Sequence, residues 1–487
     1  MIVNGDRREQ ISPLQFYLDQ ELAIPQADKI ISLIVSARVT AVETLAGEAK
    51  VQYRVTYKTI FSGEDGIDCK EDSYDNNAVI KAASITPKSF INLTANIISN
   101  EYVGVGNIKV RSTVEIKGYV IVASSFELPD IPEGIFTKTA PVVVENIQPI
   151  YESAVVASED FEIKEQVNKI LTADTQIAVK RVSTATEICH IQGECYTYVT
   201  YIADGNLQSR CLTTYFDTEI LAPNIKEGSE AFCSAEASNT SVTVLEGEPN
   251  AFRTEITIGV KGFCLLSEEC EAVIDAYSKT EELDIQYNRV PIEKNVCLTG
   301  AEEKLSGGAR LSDDSARVRS VLCVCPPSIG AISVSNAGGL AVEGIVTVSV
   351  IYLDENEEIS QTLAELPYHF VLSRDFPCET GLSANAVVTS IAARARHNDE
   401  IEISASLYVE VYGTEVDDLK YVSRMEVLGS REVNECAISL YIVRGGESLW
   451  DVAKELMSDE DTLLQLNPDL ALPLMGGEKV LLYRELT

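Results

Sequence analysis

The chain has 487 residues, with 39 Lys and Arg against 75 Asp and Glu, a formal net charge of −36, and 45% apolar residues. Such a charge repels a phosphate backbone and an anionic lipid surface, so no nucleic-acid partner is expected and a basic protein surface is. The length allows three or four domains, each with its own core.

The first ten residues, Met1 to Gln10, lack a basic stretch followed by an apolar one, so no secretory leader is expected. No uninterrupted apolar run is long enough for a transmembrane segment, and none is expected. Leu14-Gln15-Phe16-Tyr17-Leu18 fits a short helix. After Ile24-Pro25-Gln26-Ala27-Asp28-Lys29-Ile30-Ile31, alternation over Leu33–Val39 predicts a strand. A second alternating stretch, Val51 to Tyr57, returns as Cys195 to Tyr201 and as Val346 to Tyr352, each closing on a tyrosine. Glycines 118, 262 and 413 each stand 61 residues after these tyrosines, in strands of matching parity. Two landmarks at one spacing in three copies predict tandem β domains.

Turn chemistry supports the same layout. Gly63-Glu64-Asp65-Gly66, Ala203-Asp204-Gly205-Asn206 and Asp354-Glu355-Asn356-Glu357 each follow a recurring strand, and Asp-Gly is a strong hairpin signal. Connectors are expected near residues 130–155, 285–310 and 430–440, marked by Pro129, Pro132, Pro141, Pro291 and Gly307-Gly308.

Twelve cysteines are present, six of them in the second copy: Cys189, Cys195, Cys211, Cys233, Cys264 and Cys270. Without an export signal, reduced and mostly buried thiols are expected. Cys189-His190 with Cys195 suggests zinc, but paired C-x2-C knuckles are missing, so no metal or other cofactor is expected. Cross-linking in an assembly stays open. Three histidines stand in separate settings, and no G-x-S-x-G, phosphate-cradling glycine loop or H-E-x-x-H occurs. In so acidic a chain a carboxylate pair marks a solvated face, and no catalytic residues or enzymatic activity are expected.

From residue 440 the texture changes. Tyr441-Ile442-Val443-Arg444-Gly445-Gly446-Glu447-Ser448-Leu449-Trp450-Asp451-Val452-Ala453 reads as strand, turn and helix, with Ser448 as cap and Asp451 as its partner three residues on. Leu449, Val452, Ala453 and Leu456 form one helical face, and Trp450 is expected in the core. A second short helix, Asp461 to Leu466, ends at Asn467-Pro468, and Val480 with Leu482 closes as a strand. The fold class expected is therefore mainly β. Three tandem β-rich sandwich- or barrel-like domains cover 1–150, 151–295 and 296–435, and a small β-α-α-β domain covers 440–487.

The run from Tyr441 to Tyr483 resembles a LysM domain, departing by Glu447 where aspartate is usual and by the acidic turn Ser458-Asp459-Glu460-Asp461. The resemblance implies a shallow groove for N-acetylglucosamine glycans such as peptidoglycan. By position that groove uses Gly446, Glu447 and Ser448 on one side and Asn467, Pro468, Asp469 and Leu470 on the other. Tandem β domains, a Pro-x-x-Asp-Lys-Ile-Ile lead-in and one C-terminal LysM resemble the SPOCS-type spore-coat morphogenetic proteins of clostridia. That resemblance implies a non-enzymatic scaffold made in the mother-cell cytoplasm. It would coat the forespore surface and join a coat-basement morphogenetic ATPase through its LysM, with other coat proteins as further partners. The alternatives are a peptidoglycan-binding wall protein and a hydrolase with LysM as its targeting module. The stretch Leu440–Thr487 has a net charge of −5 and no aromatic on the groove rims. A protein partner steered in by Asp459, Glu460 and Asp461 is expected over a glycan.

Overall fold

The computed structural model describes residues 2–311, 317–377, 381–397, 400–431 and 438–483. The chain is mainly β, in several separate sheets, with two short helices near its end. Strands β1 (Ile2–Val3), β2 (Asp6–Ala23), β3 (Lys29–Leu45), β4 (Glu48–Gly63), β5 (Gly66–Lys81), β6 (Ile91–Val103), β7 (Asn107–Ala123) and β8 (Phe126–Glu127) come first. A meander β3-β4-β5 faces a second sheet, β2-β7-β6. Leu22, Val51, Tyr53, Tyr57, Ile108 and Ile116 from the two sheets share one core.

The order recurs. Strands β9 (Ile135–Glu162), β10 (Val167–Ala185), β11 (Ile188–Ala203), β12 (Asn206–Leu221), β13 (Ala231–Leu245) and β14 (Glu248–Ser278) form β10-β11-β12 against β9-β14-β13. The third set holds β15 (Glu281–Arg310), β16 (Val318–Val324), β17 (Ser328–Ile329), β18 (Ser333–Ser335), β19 (Leu340–Asp354), β20 (Ile359–Ser373), β21 (Ser383–His397) and β22 (Glu400–Ser430). There β15-β22-β21 faces a sheet on β19, with β20 on one side and β16, β17 and β18 on the other. Pro326-Pro327 follows β16, and proline cannot donate to a ladder, so this edge is laid down in pieces.

Four expectations need correction. Residues Leu14–Leu18 are not a helix but part of β2, where Leu14, Phe16 and Leu18 turn inward while Tyr17 is 73% exposed, a period of two. The connectors expected at 130–155 and 285–310 are largely strand. Pro141 pairs with Glu271 in β9–β14, and Pro291 pairs with Asp418 in β15–β22. The boundaries placed at 150/151 and 295/296 therefore fall inside β9 and β15. Most of the 430–440 connector lies outside the described residues. The tyrosine alignment is also slipped by four in the first copy. Turn hydrogen bonds of Gly47 with Ile85 and of Glu187 with Ile225 match at a step of 140 residues, which places Phe61, not Tyr57, opposite Tyr201. Tyr201 and Tyr352 do correspond, each paired one residue before the same bulge. The glycines keep a physical reason. A Cβ on Gly118 would lie 1.9 Å from the Asn92 carbonyl oxygen, and one on Gly262 would lie 2.2 Å from that of Phe232.

The three sandwiches close on one another. Lys58 Nζ donates to Ala173 O at 2.5 Å between first and second. Tyr198 donates to Val388 O at 2.6 Å between second and third, and Lys29 to Ile359 O at 2.6 Å between third and first. Ile31, Ile60, Leu207, Cys323 and Ile351 fill the common centre from all three. Beyond the sandwiches β9–β14 and β15–β22 continue as two ribbons, packed together through Val142, Ala272, Ile292, Tyr421, Ala276 and Val422. They form a stalk.

Candidate partner-docking site

At the stalk sits a small unit of β23 (Ile438–Ile442), α1 (Leu449–Leu456), α2 (Glu460–Leu466) and β24 (Lys479–Tyr483), with β23 antiparallel to β24. Ser448 starts α1 through a complete capping box. The Asp451 N–H donates to Ser448, and the Ser448 N–H donates to Asp451 Oδ2 at 2.8 Å. The Ser448 hydroxyl, donating to Asp451 Oδ2 at 2.6 Å, and then the Ser448 N–H hold the Asp451 carboxyl below its usual range. Asp459 caps α2 by accepting from the Thr462 N–H at 2.6 Å. Leu449, Val452, Ala453, Leu456, Leu463, Val480 and Leu482 make the core.

Trp450 is buried, but at a seam rather than in the centre of the unit. Its ring meets Tyr277 edge-on at 4.9 Å, and its indole N–H donates to Asp275 at 2.9 Å. Lys454 donates to both Asp275 oxygens at 2.7 and 2.8 Å, and Tyr287 adds a third donor at 2.9 Å. Burial pushes the Asp275 carboxyl up, but the bonds from Lys454, Trp450 and Tyr287 together take it below its ordinary value. Tyr277 donates to Ser458 O at 2.6 Å, and Lys279 pairs with Asp459. The unit is thereby clamped to the end of β14.

These contacts redistribute the candidate residues. Asp459 is engaged within the chain: Lys279, then Thr462, hold it far below the usual carboxylate range. Glu460 and Asp461 stay in the first turn of α2, Asp461 exposed. The expected groove is not assembled as a polar binding strip. Glu447 accepts from Tyr441 at 2.8 Å and from the Arg444 N–H at 2.7 Å, and Ser448 is engaged in the cap. Asn467 donates to Leu463 O and Leu481 O and accepts from the Leu481 N–H, each at 2.8 Å, so its amide joins α2 to β24. Leu470 packs against the core, and Gly446, Pro468 and Asp469 are exposed. The turn before α1 lies beside another loop, since a Cβ on Gly476 would be 3.0 Å from the Gly445 backbone.

What the chain does expose is apolar. Ile438, Leu440 and Ile442 are 62, 57 and 58% exposed, and Tyr483 is 50% exposed opposite Ile438. All four lie on the outer face of the hairpin, because Tyr441 and Val480 occupy the inner one. The sequence carried a signal for this. Ile438, Leu440 and Ile442 alternate with Tyr441 to make both faces apolar, in a two-stranded sheet whose helices cover only one. Among the described residues no helix is long and apolar enough to cross a membrane. Comparison with protein-family profiles, with curated proteins and with solved structures finds no match.

Proposed function

We propose that this chain is a non-enzymatic scaffold of endospore-coat assembly, in which three tandem SPOCS-type domains present a LysM-type module to a coat-basement morphogenetic ATPase. Its place would be the mother-cell cytoplasm at the forespore surface. The observation that carries the reading is the outer face of the hairpin, where Ile438, Leu440, Ile442 and Tyr483 stand in solvent. Contiguous exposed apolar side chains on a small unit are characteristic of protein docking. A glycan site is supported less well, since Glu447, Ser448 and Asn467 have spent their polar atoms within the module. Glu460 and Asp461, in the first turn of α2, remain as acidic steering groups of the same module.

The test is a pull-down of purified ATPase with the full-length chain and with a Leu440→Glu/Ile442→Glu variant. Association of the variant should weaken by about 100-fold or more, while its Trp450 fluorescence stays that of the parent. Equal recovery by both proteins would defeat the assignment. Sedimentation of the parent with purified peptidoglycan, reversed by chitin oligomers, would favour the wall-binding alternative.

A further inference from the structure

The first sandwich is open on a side that its neighbours close. On the inner face of β5, Asp72, Tyr74 and Asn76 are half-buried, and across from them Leu14, Phe16 and Leu18 of β2 are half-buried too. The positions matching those of β5 hold Leu212, Thr214 and Phe216 in β12 and Ala364, Leu366 and Tyr368 in β20, and all six are buried. The two walls are tied at both ends. Lys70 donates to Ala23 O at 2.9 Å, and Ser84, just past β5, donates to Glu9 Oε1 at 2.9 Å. Between the ties lies a cleft with Tyr53 and Tyr57, each almost wholly buried, as its floor. Phe16 leans on Tyr53 from one wall and Tyr74 on Tyr57 from the other, with ring centroids 5.3 and 6.0 Å apart.

Two features of the cleft name its occupant. The first is backbone: β5 is an edge strand, paired with β4 alone. Gly63 and Gly66 close a two-residue turn as a bonded pair, so from Gly66 onward every second residue bonds to β4. Glu71, Ser73, Asp75, Asn77 and Val79 therefore turn their N–H and C=O groups outward along the opening. The second is charge. Asp72 pairs one oxygen with Lys70 at 3.0 Å, while its Oδ2 is buried and has no hydrogen-bond partner among the described residues. A buried carboxylate oxygen without a donor is costly, and a cation supplies what it lacks. We propose that the cleft takes an extended segment of a partner protein, which adds to β5 as a further strand. Its inward side chains are apolar, resting on Phe16 and Tyr74, except for one lysine or arginine that reaches Asp72. From Asp72 to Ala78 the opening accommodates about seven residues at ~3.3 Å each. The net charge of −36 favours the approach of such a basic segment. This surface shares no residue with the C-terminal module.

The probe is a fluorescein-labelled peptide, Val-Thr-Val-Thr-Lys-Thr-Val, whose valines and lysine share one face of a strand. Its fluorescence anisotropy with the full-length chain should saturate, and hydrogen exchange at the Ser73, Asp75 and Asn77 amides should slow by about tenfold or more on binding. Ser73→Pro removes an outward N–H without touching a bond to β4. It should abolish binding while the far-UV circular dichroism stays that of the parent. Asp72→Asn should weaken binding by about tenfold. The proposal fails if the peptide does not saturate, if the scrambled Val-Val-Val-Lys-Thr-Thr-Thr binds as tightly, or if Ser73→Pro binds like the parent. It fails too if the parent sediments as a dimer that Ser73→Pro dissociates, since a second copy then fills the cleft.

Discussion

Arg8 and Glu293 meet where β2 of the first sandwich passes β15 of the third, with side chains 2 and 0% exposed. Glu293 accepts from both the backbone N–H and the guanidinium of Arg8, and that guanidinium lies over the rings of Phe263 and Tyr412 at 4.6 and 4.2 Å. All three sandwiches thus contribute to a buried ion pair, whose solvation is lost and only partly recovered by attraction. Removing one partner leaves an uncompensated charge. Arg8→Ala should cost about 3–5 kcal/mol in urea unfolding, and Arg8→Leu/Glu293→Leu should recover most of it. A double variant as weak as Arg8→Ala would mean the pair itself supplies the stability. Aromatic volume is exchanged at another residue position. Tyr53 faces Asn76 in the first sandwich, while Gly193 faces Phe216 in the second, and a Cβ on Gly193 would strike that ring at 2.5 Å. Volume is kept though the strand that supplies it changes, which is why the tyrosine alignment slips unseen.

Between elements, the decisive contact is the docking of α1 on β14. Asp275 and Asp459 both have lowered folded values, so they contribute stability fully above the unfolded carboxylate value near 3.8. That contribution is lost as the pH falls through the lower folded values. Trp450 is the single tryptophan and reports on this seam. Its emission should stay constant from neutral pH down to about 4 and shift red below it, and Asp275→Ala should show the red shift already at neutral pH. An unchanged spectrum in that variant would mean that packing against Tyr277 holds the module without the carboxylate. Within the module Asn467→Ala should cost about 1–3 kcal/mol, because it strands the Leu481 N–H and carbonyl, while the Leu463 carbonyl keeps its bond from the backbone N–H of residue 467. Thermal unfolding followed at Trp450 would measure it.

On the scale of the whole molecule the three sandwiches are not beads on a string. Tyr196 and Tyr198 of the second pack into the core of the third, and Gln176 bonds to Pro327 O and the Val388 N–H at 2.8 and 2.9 Å. Units that share a core unfold together, so calorimetry should find one transition for the three, with calorimetric and van't Hoff enthalpies in agreement. Separate transitions would show the interfaces to be incidental. A fragment ending near residue 130 should be poorly soluble, since it uncovers Ile31 and Ile60 along with the Arg8 side chain.

Alternation by itself determined that Val51–Tyr57, Cys195–Tyr201 and Val346–Tyr352 are strands, and Asp204-Gly205 determined a hairpin. These are local matters, settled by side-chain period and by the dihedral angles a turn demands. The capping box of Ser448 and Asp451 was legible for the same reason, since its partners lie three residues apart. The ends of β9 and β15 were not legible, because ribbons that run past their sandwiches are sustained by each other rather than by local pattern. Nor did spacing reveal that Asp459 belongs to Lys279 or Trp450 to Asp275, 180 and 175 residues away. Which acids are free to meet a partner depends on the cations that folding brings beside them, and only the tertiary structure decides that.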